Sequence, residues 1–331
     1  MAQSEQFINW LTNTPTALTN ATNSVFGPAG TNSSVGLVPN PGGSTGLPNT
    51  FLNGKTATFT QVDYASITGT PTPAAGTGLL LSGSTFSIDA SYMRGYLAGN
   101  TLSGGGSTTL TINAGIVCSD DFTTLMKLPS NYTKTFAAWA VGTGNGGLDT
   151  GAIANNTWYH VYIIERTDTL VVDVLISLSA TTPTLPTNYT KQRRIGSIRT
   201  DATPNIISFV QVGDEFIWPT IFADVSGATT STVSRTLYTL TVPTGVKVNA
   251  LVKVNYVSGS GGEFIATSPD ETDQAAATPA QDIHLEVVGQ NGIMVRSIRT
   301  NTSAQVGGRS SVAGTISMGT YGFVDTRGRF A

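Results

Sequence analysis

Through most of the chain, apolar side chains recur at every second position in short runs bounded by Gly, Pro, Asn and Ser, the period of strands rather than helices. The clearest case is Thr157 to Leu178, TWYHVYIIERTDTLVVDVLISL, where two β-branched and aromatic runs flank a polar tetrapeptide, Arg166 to Thr169. With those four residues as a hairpin loop, Tyr159, Val161 and Ile163 meet Ile176, Val174 and Val172 on a wholly apolar face. The opposite face pairs Tyr162 with Asp173, His160 with Leu175 and Trp158 with Ser177. That face is too aromatic for plain solvent and too polar for a core, so it suits a subunit interface or a sugar-binding surface.

Further strand signals cover Gly78 to Asp89, Thr108 to Cys118, Arg193 to Arg199 and Asn205 to Trp218. Val233 to Val242 and Val246 to Val257 flank Pro243-Thr244-Gly245. In the second run Val246, Val248, Ala250, Val252 and Val254 point one way, Lys247, Asn249, Lys253 and Asn255 the other, with Leu251 an exception. Ile283 to Val288 and Ile293 to Arg299 flank a Gly-Gln-Asn-Gly turn and predict another hairpin, and the acidic loop Ser268 to Ala280 is expected to be exposed. The one helix predicted runs from Ser4, its cap, to Thr12, with Phe7, Ile8, Trp10 and Leu11 as an apolar face that must dock on something else. From Asn13 to about Gly76, Thr, Asn, Gly and Pro dominate, which predicts an extended segment too poor in apolar residues to fold alone.

The fold expected is therefore all-β: an extended N-terminal segment with one short helix over 1–76, then two β-sandwich or jelly-roll-like domains over 77–222 and 223–331. No repeat of 20 to 50 residues supports a β-helix.

Composition narrows the partners. Only 11% of the 331 residues are charged, against roughly 25% in an average soluble domain. The net charge of −3 supplies no electrostatic footprint for nucleic acid. No stretch approaches the ~18 apolar residues of a membrane span, so no membrane insertion is expected. The N-terminus lacks the basic and apolar regions of a secretory signal. Cys118 is the single cysteine, in an apolar run, and is expected to be a buried, inert thiol.

Three phrases in fixed order, GGLDTGAIANNTWYHVYII, DVLISLSATTPTLPTNYTKQRRIGSI and FVQVGDEFIW, resemble a module of tail-fibre and other virion proteins of tailed bacteriophages, over roughly residues 80–222. Upstream, SVFGPAGTNSSVGLVPNPGG followed by PNTFLNGKTATF is similar to a segment of the same fibre and appendage proteins. The resemblance implies a virion structural role and carries no catalytic residues.

Candidate chemistry is sparse. Gly142 to Gly147 satisfies G-x-G-x-x-G, but loop and strand follow it rather than the helix a dinucleotide site needs, so a glycine loop joining two strands is expected. His160 and His284, the two histidines, lie in strand patterns without zinc-site spacing or a G-x-S-x-G elbow. Asp120-Asp121 and Asp214-Glu215 are adjacent, and neighbours in a strand face opposite ways. Asp270, Glu271 and Asp273 lack the spacing of a calcium loop. Arg193 and Arg194 alternate faces, so at least one is expected at a carboxylate across an interface or in solvent. No catalytic, metal or cofactor site is assigned. The surface set is Trp158, His160, Tyr162 and Asp173, for glycan or interface contact, and Phe7, Ile8, Trp10 and Leu11 are the virion-docking set.

The sequence thus predicts a virion protein made in a host cytoplasm, a homotrimeric tail fibre contacting other virion proteins through its N-terminal segment and host surface glycan further out. A head fibre or capsid decoration protein built from the same parts, and a glycan-degrading virion enzyme, are the alternatives.

Overall fold

A computed structural model describes residues 75–329, except 83–84, 260–261, 276–283 and 288–291. The predicted helix, with Phe7, Ile8, Trp10 and Leu11, and nearly all of the extended segment lie outside the described residues. From Gly76 onward the chain forms one compact unit, and it is all-β as expected.

In chain order, a hairpin of β1 (Leu79–Ser82) and β2 (Thr85–Ile88) precedes a 3-10 turn at Ala90–Met93. Then come β3 (Leu97–Gly99), β4 (Leu102–Ser103), β5 (Thr109–Ile112), β6 (Gly115–Cys118) and β7 (Leu125–Leu128). The next five are β8 (Tyr132–Ala138), β9 (Gly146–Leu148), β10 (Trp158–Arg166), β11 (Val172–Ser177) and β12 (Tyr189–Arg199). After these lie β13 (Val210–Val212), β14 (Glu215–Thr229), β15 (Thr236–Thr239), β16 (Asn249–Ser258) and β17 (Gly262–Thr267). The last are β18 (His284–Val287), β19 (Gly292–Arg299), β20 (Gln305–Ser310) and β21 (Gly314–Val324).

A seven-stranded sheet, β12-β10-β11-β9-β8-β5-β4, and a three-stranded sheet, β3-β6-β7, form one group. A five-stranded sheet, β13-β14-β21-β16-β19, and a four-stranded sheet, β15-β20-β17-β18, form the other. Most neighbours are antiparallel; β9 runs parallel to both β8 and β11. One apolar core runs through both groups, from Leu97 and Leu110 through Val161 and Ile176 to Val252 and Phe323. At its centre Trp158 of β10 meets Trp218 of β14 at 6.0 Å and Phe323 of β21 at 5.8 Å, and Phe323 stacks on Phe216 at 4.8 Å. The expected boundary at 222/223 falls inside β14.

The β10–β11 hairpin forms with its faces as expected and its register moved. Val161 pairs with Ile176 and Ile163 with Val174, while His160 lies opposite Ser177 and Tyr162 opposite Leu175. The loop is Thr167 to Leu170 rather than Arg166 to Thr169. Arg166 stays in the ladder, donating its N–H to Val171 O, and Leu170 takes a φ of 57° to close the turn. A shift shared by both strands leaves every side chain on its predicted face.

The alternation into and along β16 also holds: Val248, just before the strand, and Ala250, Val252 and Val254 are buried, Asn249 and Lys253 exposed, and the exceptional Leu251 is buried. One pairing is corrected. β18 joins β17 in the four-stranded sheet and β19 joins β16 in the five-stranded sheet, so these runs are not a hairpin. The chain changes sheet between them, because a turn-like tetrapeptide marks a break without choosing the partner on each side.

Candidate functional site: a charged clasp beside an open cleft

The mixed face of β10 is where sequence placed a contact surface, and the chain itself covers it. His160 and Tyr162 are 1% exposed and Asp173 is fully buried. Trp158 is half-buried against the aromatic centre just described. Tyr162, Ile164, Leu175 and Tyr189 make a second, smaller core, closed by Trp139 and Leu185. His160, Tyr162 and Asp173 therefore serve contacts within the chain and are closed to a sugar, while Trp158 stays partly exposed.

Three groups of charges lie around that face. In the first, Lys134 of β8 reaches across β9 to Asp173 of β11 at 2.9 Å, both side chains fully buried. Its Nζ also donates to Ala140 O at 2.7 Å and Gly142 O at 3.0 Å, and Asp173 accepts from the Gly142 N–H at 2.7 Å. Burial depresses the lysine pKa, against the pull of Asp173. The glycine phrase is thus a loop folded around an ammonium. Gly142 and Gly144 have φ of 99° and 81°, and a side chain on Gly146 would collide with the Ala138 carbonyl.

The second group is the clasp. Arg194 of β12 donates Nη1 and Nη2 to Asp325, just after β21, at 2.6 and 2.8 Å. Asp325 also accepts the Arg327 N–H at 2.8 Å and is 2% exposed. Burial alone would raise its pKa, but the Arg194 charge and hydrogen bonds outweigh this and hold the carboxyl below the usual range. Arg194 donates as well to Ser197 Oγ, which lies 2.9 Å from His160 Nδ1. Burial, reinforced by Arg194, lowers the His160 pKa to about 4, so the imidazole is neutral at pH 7.

The third group extends the clasp. Asp214 accepts from Arg327 at 2.6 Å and from Arg329, and Arg193 meets Asp120 at 3.2 Å and donates to Arg327 O at 3.0 Å. Both arginines of the predicted pair therefore find carboxylates, and the adjacent acids Asp120 and Asp121 go separately to Arg193 and Lys191.

Beside the clasp opens a cleft of ≈ 510 Å³, with Arg194 and Asp325 in its wall and Lys247, Asn249 and Arg299 among the lining residues. Lys247 is paired with Asp270 at 2.8 Å. The cleft therefore offers cationic and amide groups to a ligand, with the Asp325 carboxylate already engaged by Arg194. Among the described residues no three His, Cys, Asp or Glu side chains gather to hold a metal. Cys118 is fully buried. The sequence pattern does not single out Lys134, Asp325 or Arg327, and it shows Asp214 only as the neighbour of Glu215. Asp325 is 131 residues from Arg194, and no local spacing announces such a pair.

No family model matches the chain, and no curated protein matches it. Among solved structures, the chain is similar to a Bacillus thuringiensis Cry1Da tryptic core variant at 9% identity and a TM-score of 0.16, with 68% of this chain and 51% of that one covered. The chain thus spans about half the length of that structure.

Proposed function

We propose that the chain is a structural protein of a tailed-bacteriophage virion, a homotrimeric tail fibre that contributes to host attachment and carries no catalytic role. The observation that carries this reading is the ordered set of virion-type phrases. GGLDTGAIANNTWYHVYII supplies β9 and most of β10, DVLISLSATTPTLPTNYTKQRRIGSI supplies most of β11 and of β12, and FVQVGDEFIW supplies β13 and the start of β14. They hold much of the common core, so the resemblance lies in residues that determine the fold.

A body with one continuous core and few surface charges suits a rigid appendage exposed to the medium. Attachment to the particle is assigned to residues 1–76, with the docking set Phe7, Ile8, Trp10 and Leu11. Host contact belongs to exposed surface, since His160, Tyr162 and Asp173 are buried.

Competition for host cells tests the attachment role. Purified chain in excess should slow adsorption of the phage several-fold. Unchanged adsorption at saturating chain would remove host attachment and leave a head fibre or decoration protein. Release of oligosaccharide from host envelope would instead establish the enzymatic alternative.

A further inference from the structure

We infer that the cleft beside the clasp binds a carboxylate-bearing sugar, with Arg299 taking the carboxylate and Asn249, Thr302 and Thr326 the hydroxyls. This names a ligand for the host attachment proposed above and rests on that reading. Strand register builds the site. Asn249, the first residue of β16, lies opposite Arg299 of β19 on one side and Val324 of β21 on the other. Directly opposite residues point to the same face of a sheet, so these three side chains form one row. The adjoining row, Ala250, Ile298 and Phe323, is buried, which turns the first row away from the core. The walls come from the turn before β16, from Thr302 after β19, from the chain after β21 and from Arg194 of β12. At ≈ 510 Å³ the cleft falls within the ~300–1,000 Å³ of small-molecule sites.

Charge selects the sign of the ligand. Three cations and one carboxylate line the cleft, a surplus of two, although the whole chain carries −3. Asp325 is held in bidentate fashion by Arg194. Lys247 is paired with Asp270, but both side chains are 41% exposed, and such pairs contribute little. Arg299 is exposed, and among the described residues no carboxylate pairs with it. The clasp adds to the surplus from behind the wall. Arg327, between the cleft residues Thr326 and Gly328, is 3% exposed, and its Nη1 has no partner among the described residues. Arg193 Nη2 lies 3.6 Å from where a side chain on Gly328 would begin. Buried guanidinium groups with unused N–H capacity leave a positive potential that an anion in the cleft would offset.

The other groups select a sugar acid among anions. With Asp270 counted against Lys247, the surplus in the cleft is one charge, which a single carboxylate neutralises. A guanidinium binds a carboxylate through two parallel N–H···O bonds, and Arg299 is the cation with its capacity open. Around it stand the Asn249 amide and the Thr302 and Thr326 hydroxyls, and no aromatic ring lines the cleft. Amide and hydroxyl groups both donate and accept, as sugar hydroxyls require, whereas a nucleobase would find nothing to stack on.

Calorimetric titration of the full chain with a galacturonate tetrasaccharide tests this, with neutral maltotetraose and a glycerol-phosphate tetramer alongside. The galacturonate should bind at least ~tenfold tighter than either. Arg299→Gln should weaken it at least ~tenfold, through loss of a charge-assisted contact, with an unchanged Tm because Arg299 is exposed. Lys253→Gln removes the same charge from an exposed residue of β16 outside the cleft and should change binding less than about twofold. No binding of the galacturonate, or binding that Arg299→Gln leaves unaltered, would overturn the site. Equal binding of maltotetraose or of the phosphate tetramer would overturn the carboxylate as its ligand. Adsorption competition with the same proteins separates this site from the attachment role. A chain that slows adsorption but ignores the galacturonate overturns the site and spares attachment. A chain that binds it through Arg299 but leaves adsorption unchanged keeps the site and overturns attachment.

Discussion

Replacing Asp325 by Asn tests whether the clasp binds the two groups of sheets together. The substitution keeps the size of a side chain that is 2% exposed but removes its charge. Arg194, with its side chain 11% exposed, then loses a bidentate partner and keeps at most one good acceptor. Breaking a buried pair from one side costs ~3–5 kcal/mol, because the remaining charge stays buried without compensation. Asn retains some hydrogen bonding, so about 3 kcal/mol is expected. Roughly 250 ordered residues have an unfolding entropy near 0.5 kcal/mol/K, which converts this loss to a fall in Tm of about 6 °C. Calorimetry reads it, and the double variant Arg194→Met/Asp325→Asn should be less destabilised than the sum of the single variants. An Asp325→Asn protein within 0.5 kcal/mol of wild type would refute the claim that the clasp contributes to stability.

Three further outcomes follow from the same region. His160 is a base whose folded pKa, about 4, lies below its ordinary 6.5; its stability contribution is complete above pH 6.5 and is lost as pH falls toward 4. Near pH 5 the loss is about 2 kcal/mol relative to pH 7, seen as a lower urea midpoint whose fall from pH 7 to 5 is smaller in His160→Gln. Lys134→Met leaves Asp173 buried and unpaired and should cost ~3–5 kcal/mol, with Lys134→Met/Asp173→Asn recovering part of it in urea melts. Gly146→Ala forces a methyl group onto the Ala138 carbonyl and should cost at least ~1 kcal/mol in the same melts, whereas Gly259→Ala, with nothing nearby, should be within about 0.5 kcal/mol of wild type.

What the sequence makes legible is short in range. Alternation in β16 and in the β10–β11 hairpin identifies faces correctly, because burial on one side of a pleat imposes a period of two. It does not fix the partner at each position: Leu170, with φ 57°, shifts the register of the hairpin, and β18 and β19 belong to different sheets. The mixed face of β10 is polar for a reason that only the fold displays. His160 rests on Ser197, and Ser197 on an arginine held by Asp325 near the far end of the chain. Asp173 is polar because Lys134 arrives from two strands away. Composition marks such residues as unusual without distinguishing a partner in the same chain from one outside it.

The central claim is that this chain is a virion component, and its presence on the particle tests that claim most directly. Gradient-purified phage carrying the gene should contain the chain by mass spectrometry, and antibody raised against residues 76–331 should label projections in electron micrographs. Particles that lack the chain while the infected cell contains it in soluble form would contradict the account.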